Sequence, residues 1–336
     1  MAKELTSVAD DEVVIFDGRE RRTYGDLVPD RSHVLDGCEA QTLPRPGELL
    51  CRFATVNDVH FGETTCGVVE GTDIGPTFAS ADGEDPYPEV MNRGAIAEIA
   101  QIDPAAVVVK GDLTAGGTIE QYDRFRSFYE PAFGDRLHVV RGNHDSYHGA
   151  TYAADPTQEV DLPGVRLAIL DTSRDHQVNG SLSVDQLEWL DELATRSDRP
   201  VLVFGHHPMW NPDRDPRRDD VFGLRPDDAE GLLEVFRRRP RLRGYFAGHT
   251  HRNVRQRIGA SGATPWVEVA CVKDYPGTWA EYRVFEGGIL QVHRRISSPE
   301  ALAWTEETRH MYEGGYAEYA LGSIDDRCFL IDGGPT

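Results

Sequence analysis

Short apolar runs rich in β-branched and aromatic residues recur along the chain at 49–56, 105–109, 137–140, 201–204 and 242–246. Their length and Gly-bounded ends predict buried sheet strands. Helical periodicity falls between them, at 89–101, 119–133, 184–194 and 228–238. Two of these segments carry start signals, since Thr118 with Gln121 and Ser183 with Gln186 have capping-box spacing. Strands alternating with helices predict an α/β fold, in which functional groups collect beyond the carboxyl ends of the strands.

The flanks have patterns of their own. Val13-Val14-Ile15-Phe16, the turn Asp17-Gly18 and a polar return to Tyr24 predict a hairpin, which makes residues 1–46 an N-terminal extension. Leu43-Pro44-Arg45-Pro46-Gly47 then leads into a main domain expected over 47–300. Residues 61–88 are rich in Gly, Thr, Asp and Pro, lack periodicity and exceed an ordinary connection; they are expected to rim a site or form a surface insertion. After His251, strand-like runs at 266–272, 282–285 and 289–292 predict a mainly antiparallel sheet that completes a two-sheet core. The tail, 301–336, mixes Trp304, Tyr312, Tyr316, Tyr319 and Phe329 with acids and is expected to dock on the domain or to support a homodimer.

Composition narrows the partners. With 336 residues, 39% of them hydrophobic, the chain can bury a full-sized core. The net charge of −22, from 57 acidic against 35 basic residues, opposes binding to nucleic acid. The one dense basic run, Arg237, Arg238, Arg239, Arg241 and Arg243, closes a helical segment, where cations favour the helix dipole. Five scattered cysteines without a C-x-x-C pair indicate a reducing compartment. Neither a signal-peptide core in residues 1–11 nor an apolar stretch of membrane-spanning length is present, so the expectation is a cytoplasmic protein without a membrane partner.

The chemistry lies directly after the five strands, in Asp58-Val59-His60, Gly111-Asp112, Gly142-Asn143-His144-Asp145, Gly205-His206-His207 and Gly248-His249-Thr250-His251. Carboxylate, imidazole and carboxamide donors suit borderline or hard metal ions, with Mn, Fe, Zn and Co all candidates, and no cysteine stands beside them as a structural zinc site would want. Asp58 and His60, two apart, can share one side of an extended strand end. Taken singly each fragment is weak, since Gly-Asp is a common turn; their ordered coincidence is what counts.

In that order, D-x-H, G-D, G-N-H-D, G-H-H and G-H-x-H, the chain resembles the calcineurin-like metallophosphoesterase superfamily across about two hundred residues. The resemblance implies a four-layer α/β/β/α sandwich of two mixed sheets flanked by helices, with a dinuclear metal site at the strand ends. It implies two divalent or mixed-valence ions, Asp58, His60 and His251 on the first, Asn143, His206 and His249 on the second, and Asp112 bridging both. Asn143 can serve through its neutral amide oxygen. A hydroxide shared by the metals would attack phosphorus in line. His144, adjacent to a ligand but not one itself, is the leading catalytic residue, placed to protonate the leaving oxygen. His206 is preferred over His207 as ligand because it stands two before Pro208, in the family's H-x-P form. His207 would contact substrate or a ligand, Asp145 would orient a histidine or hold its loop, and His148 lies near enough in sequence to watch.

The run Gly111-Asp112-Leu113-Thr114-Ala115 lacks the tyrosine of purple acid phosphatases. It also places Ala115 where the protein-phosphatase subgroup has an aspartate, so the usual orienter of His144 is missing. The G-D-L-T run, the His206-His207-Pro208 triple and the length look most like bacterial class III cyclic-nucleotide phosphodiesterases. The expectation is hydrolysis of a small phosphoester, with a 3′,5′-cyclic nucleotide first. Monoesters, glycerophosphodiesters or nucleotide pyrophosphates are the alternatives, and a non-catalytic metal-binding scaffold is the reading from another class.

Overall fold

The computed structural model describes residues 3–69 and 71–333. Two six-stranded mixed sheets stack face to face. The first runs Phe329–Asp332, Gly288–Arg295, Thr278–Phe285, Leu49–Val56, Val107–Lys110, Leu137–Val140. The second runs Val254–Gln256, Trp266–Glu268, Leu242–Ala247, Val201–Phe204, Val165–Leu170, Thr157–Leu162. In the first, Leu49–Val56, Val107–Lys110 and Leu137–Val140 form a parallel half that runs to one edge and the other three strands an antiparallel half; the second has a parallel centre with an antiparallel strand at each edge.

Successive residues of a strand serve opposite layers. Phe53 and Val108 meet Leu167, Ile169, Leu202, Phe204 and Phe246 between the sheets. Their neighbours Ala54, Val56, Val107 and Val109 face outward to helices Tyr87–Gln101, Ile119–Phe133 and Pro299–Thr308. On the other sheet, Ala168, Leu170, Val201 and Val203 face Val184–Arg196 and Pro226–Arg238. The result is α/β/β/α. Burial on both faces is why these strands read as unbroken Val and Leu runs, and each large side chain so buried contributes about 2 kcal/mol.

Both expected helix starts form, with a difference. Ser183 and Gln186 cap each other reciprocally. Thr118 accepts from the Gln121 amide, but the Gln121 side chain accepts instead from the Gly116 amide, stabilising the turn before the helix.

The antiparallel strands after His251 do not form a sheet of their own. Thr278–Phe285 adds to Leu49–Val56, and Trp266–Glu268 adds parallel to Leu242–Ala247. The run at 266–272 stops pairing as a strand at Glu268 because the chain then crosses between the sheets: Val269 N bonds Ala247 O in one, Val272 N bonds Asn57 O in the other.

Ahead of the sandwich, Glu4–Val8, Val13–Asp17 and Glu20–Tyr24 make a small antiparallel sheet whose Val8, Val13 and Ile15 pack on Phe285, Leu290 and Val292. Glu281, buried in the first sheet, binds Arg283 and Arg294, which reach on to Asp10 and Glu12 and tie this layer down. The tail contributes Trp304, Met311 and Tyr316 to the core and Phe329–Asp332 to the sheet edge. No helix among the described residues is long and apolar enough to cross a membrane, and the five cysteines are free.

Candidate metal centre

All five motif loops leave the carboxyl ends of parallel strands, three from the first sheet and two from the second, and meet over one end of the sandwich. Backbone bonds clamp them together: Asp58 N to Gly111 O, Val59 N and His60 N to Asp112 O, and Gly248 N to His206 O. Asp58, His60, Asp112, His249 and His251 all hold positive φ between 47° and 69°. Non-glycine residues adopt that region at a cost of about 1–3 kcal/mol, which persists where surrounding structure over-determines it, as at functional sites. Gly142 has no alternative, because a Cβ there would collide with the Asp112 carboxylate and main-chain nitrogen.

The side-chain donors converge. Asp112 Oδ2 lies 3.4 Å from His60 Nε2 and 3.3 Å from His206 Nε2, midway between two groups of donors. Beside His60 are Asp58 and His251, whose Oδ1 and Nε2 are 3.4 Å apart. Beside His206 is Asn143, with Oδ1 at 3.0 Å from His206 Nε2, and the His249 ring, with its centroid 5.1 Å from that of His206. Asn143 donates its amide N–H to the Tyr147 hydroxyl at 2.6 Å, which leaves the oxygen directed at His206. The donor atoms of Asp58, His60 and His251, and those of Asp58, Asp112 and His206, each lie within 4.8 Å of one another.

Residues behind the donors hold them in place, and none of these was singled out from the sequence. His206 Nδ1 bonds the Lys110 carbonyl at 2.8 Å, which turns Nε2 inward. Asp274 stands 3.8 Å behind His251 Nδ1 and Glu63 3.9 Å behind His60 Nδ1, and Glu63 is itself paired with buried Lys273. Asn57 bonds Asp58 and receives the buried ammonium of Lys110 at 2.9 Å. Two of the chain's three lysines thus sit beneath the site. Carboxylates and carbonyls that orient ligand imidazoles are common in metal centres.

Electrostatics favour a cation. Burial pushes the His60 imidazole down to about 4, reinforced by Lys273, and burial with His206 pushes His249 down to about 3. Both rings are therefore neutral near pH 7, with lone pairs available. Burial alone would raise Asp112, but His206 and His144 outweigh it and hold the carboxyl well below its usual range. Neither ring nitrogen of His60 nor Nε2 of His249 has a hydrogen bond, although all are buried. Unpartnered imidazole nitrogens beside buried carboxylates fit a bound metal ion; the Cys271 thiol, grouped with His251, donates to Asp274 at 2.9 Å, and the donors around Asp112 are nitrogen and oxygen, as a hard or borderline ion prefers.

The other sequence candidates take distinct places. His144 lines a cavity of about 730 Å³ with Asp112, Asn143, His249 and His251. Its Nδ1 donates to the Ala115 carbonyl at 2.9 Å, so the residue that lacks an orienting side chain supplies its backbone oxygen instead. Asp145 does not touch the His144 ring; it accepts from Gly142 N, Leu113 N, Thr114 N and Thr114 Oγ1 and so joins two motif loops. His207 has both nitrogens engaged, by Thr172 Oγ1 at 2.8 Å and the Val178 carbonyl at 3.1 Å. His148 is exposed and stands outside the cavity lining. The long 61–88 loop reaches the cavity rim through Val68 and Val69. The tail supplies a wall through Tyr312, Tyr316 and Tyr319.

An α/β/β/α sandwich with this donor set at its strand ends is a metal-dependent phosphoester hydrolase. A family model described as calcineurin-like phosphoesterase matches residues 51–253, and the chain belongs to that family. It is 31% identical over 242 residues to the 3′,5′-cyclic adenosine monophosphate phosphodiesterase CpdA of Pseudomonas aeruginosa, covering 67% of this chain and 77% of that protein. It is 27% identical over 195 residues to a probable cyclic nucleotide phosphodiesterase of Synechococcus, covering 56% and 74% respectively. In fold it is similar to a dimetal phosphatase from Danio rerio, with a TM-score of 0.57 at 18% identity over 74% of this chain and 98% of that one.

Proposed function

We propose that the protein is a dinuclear-metal phosphodiesterase acting on 3′,5′-cyclic nucleotides. The observation that carries the metal assignment is the position of Asp112, one carboxylate oxygen of which faces His60 on one side and His206 on the other. Asp58, His60 and His251 would hold one ion, Asn143, His206 and His249 the other, and Asp112 both. Bound there, two ions lower the pKa of water, orient the phosphoryl group and offset charge on its oxygens. No serine or cysteine nucleophile is required.

The protein's own groups supply the rest. The bond from His144 Nδ1 to Ala115 O fixes the ring and assigns one proton to that nitrogen; a second proton, held at Nε2 in the imidazolium form, is the one that can pass to the leaving oxygen. The His144 amide donates to Asp112 Oδ1 at 2.9 Å, so the acid and the shared carboxylate move as one unit. The cyclic-nucleotide assignment is supported by the relatives named as such phosphodiesterases and by a cavity of about 730 Å³, within the usual range for small-molecule sites.

The test is a set of initial rates on the manganese-reconstituted protein with 3′,5′-cyclic AMP, a generic diester and a generic monoester, each with and without chelator. Rapid, chelator-sensitive turnover of cyclic AMP is expected. Turnover of the other esters alone would discard the substrate and keep the metal chemistry; no turnover of any would overturn the reading.

A further inference from the structure

Phe222 is 58% exposed, an unusual position for a phenyl ring, yet one face lies against the His249 imidazole, with centroids 4.0 Å apart and planes at 26°. Tyr319, from the helix Tyr316–Leu321 of the tail, is 45% exposed, fixed by a hydroxyl bond to Thr250 O at 2.9 Å and by the Arg252 guanidinium over its ring at 5.4 Å. Phe222, Thr250 and Tyr319 line both the metal-site cavity and a neighbouring cavity of about 330 Å³, so they form the wall between the two. Beyond that wall, buried Glu268 holds Arg252 and Gln256 by short bonds.

We infer that Phe222 and Tyr319 are a platform for the nucleobase of the substrate and are the residues that select nucleotides over alkyl phosphoesters. The inference rests on the phosphodiesterase reading above. Phe222 stacks on a candidate metal ligand, so a planar group resting near it belongs to the same molecule whose phosphate reaches the donors. The face of Phe222 turned away from His249 is the surface that a base covers, and Tyr319, whose ring is already packed by Arg252 and Tyr316, bounds it on the tail side. An aliphatic alcohol has no flat face to offer and gains little there.

Calorimetry on the manganese-loaded protein tests this with adenosine 5′-monophosphate and ribose 5-phosphate, which differ by the base alone. The wild type should bind the nucleotide about ten- to a hundredfold more tightly, the range expected for one stacked base. Phe222→Ala should bring the two affinities within about twofold of each other, and Phe222→Trp should keep the gap. If Phe222→Ala loses metal, Phe222→Leu, which keeps an apolar side chain against His249, is measured instead and should narrow the gap while retaining metal. Equal affinities in the wild type, or an unchanged gap in the metal-retaining variant, would overturn the platform. Cyclic AMP turnover separates the two claims. A protein that hydrolyses cyclic AMP without base preference refutes the platform alone, whereas one that prefers the base but leaves cyclic AMP intact refutes only the substrate reading.

Discussion

Replacing Asp145 by Asn tests whether the motif loops are held by one buried carboxylate. Its Oδ2 accepts from Leu113 N at 3.0 Å and Gly142 N at 2.8 Å, and its Oδ1 accepts from Thr114 N at 2.9 Å and Thr114 Oγ1 at 2.7 Å. Three of these donors are backbone amides, split between the loop that carries Asp112 and the loop that carries Asn143 and His144. An Asn amide must turn its NH2 toward one pair. In the less damaging orientation the Thr114 hydroxyl rotates to accept, but Thr114 N loses its partner; in the other, two amides do. A buried donor left unpaired costs about 1–3 kcal/mol, and the surviving bonds lose the charge that roughly doubles their strength. At neutral pH part of this is returned, because burial and Asp112 disfavour the Asp145 charge and raise its carboxyl to about 6, which leaves a destabilisation of about 1–2 kcal/mol, with Asp145→Ala at least as severe. Urea unfolding of the metal-free proteins measures it, and metal content after reconstitution measures whether Asp112 and Asn143 remain in register. A variant within about 0.5 kcal/mol of wild type that binds its full complement of metal would refute the reasoning.

Other perturbations separate the roles. His144→Ala should lower kcat about a hundred- to ten-thousandfold with metal content unchanged, whereas parallel loss of metal would make His144 a ligand. Gly142→Ala should lower stability as well as metal content, since the new methyl group meets the Asp112 main-chain nitrogen as well as its carboxylate; a wild-type urea midpoint with normal stoichiometry would count against the packing argument. Burial would raise the Glu281 carboxyl, but Arg294 and Arg283 outweigh it and hold it at about 2, below its ordinary 4.5. A depressed acid adds stability above its unfolded pKa and loses it as pH falls through the folded value, so the stability gap between wild type and Glu281→Gln should shrink by about 3 kcal/mol from pH 5 to pH 2. Urea midpoints across that range check it, and a gap independent of pH would contradict it.

The architecture was largely legible because strands buried on two faces cannot disguise themselves. Val107, Val108 and Val109 must all be apolar when neighbours alternate between a helix layer and a second sheet. The motif residues were legible because each follows such a run. What the sequence hid was of two kinds. Backbone atoms leave no trace in residue identity, so the Ala115 carbonyl behind His144 and the Lys110 carbonyl behind His206 could not be read from a pattern of side chains. Contacts between segments far apart in the chain carry no periodicity, which is why Glu63, Lys273 and Asp274 passed as ordinary charges, and why Tyr319 could not be placed at a cavity some 70 residues from Thr250. The strand-like run at 266–272 shows the limit of local pattern in another way, since its last residues are apolar for a crossing between sheets, where their amides bond both.

The most direct test of the central claim is the metal content of desalted, manganese-reconstituted protein, wild type against Asp112→Asn. Two ions per chain in the wild type, falling below one in the variant, are predicted if one carboxylate serves both halves of the site. A wild type that holds fewer than two, or a variant that keeps both, would contradict a dinuclear centre bridged by Asp112.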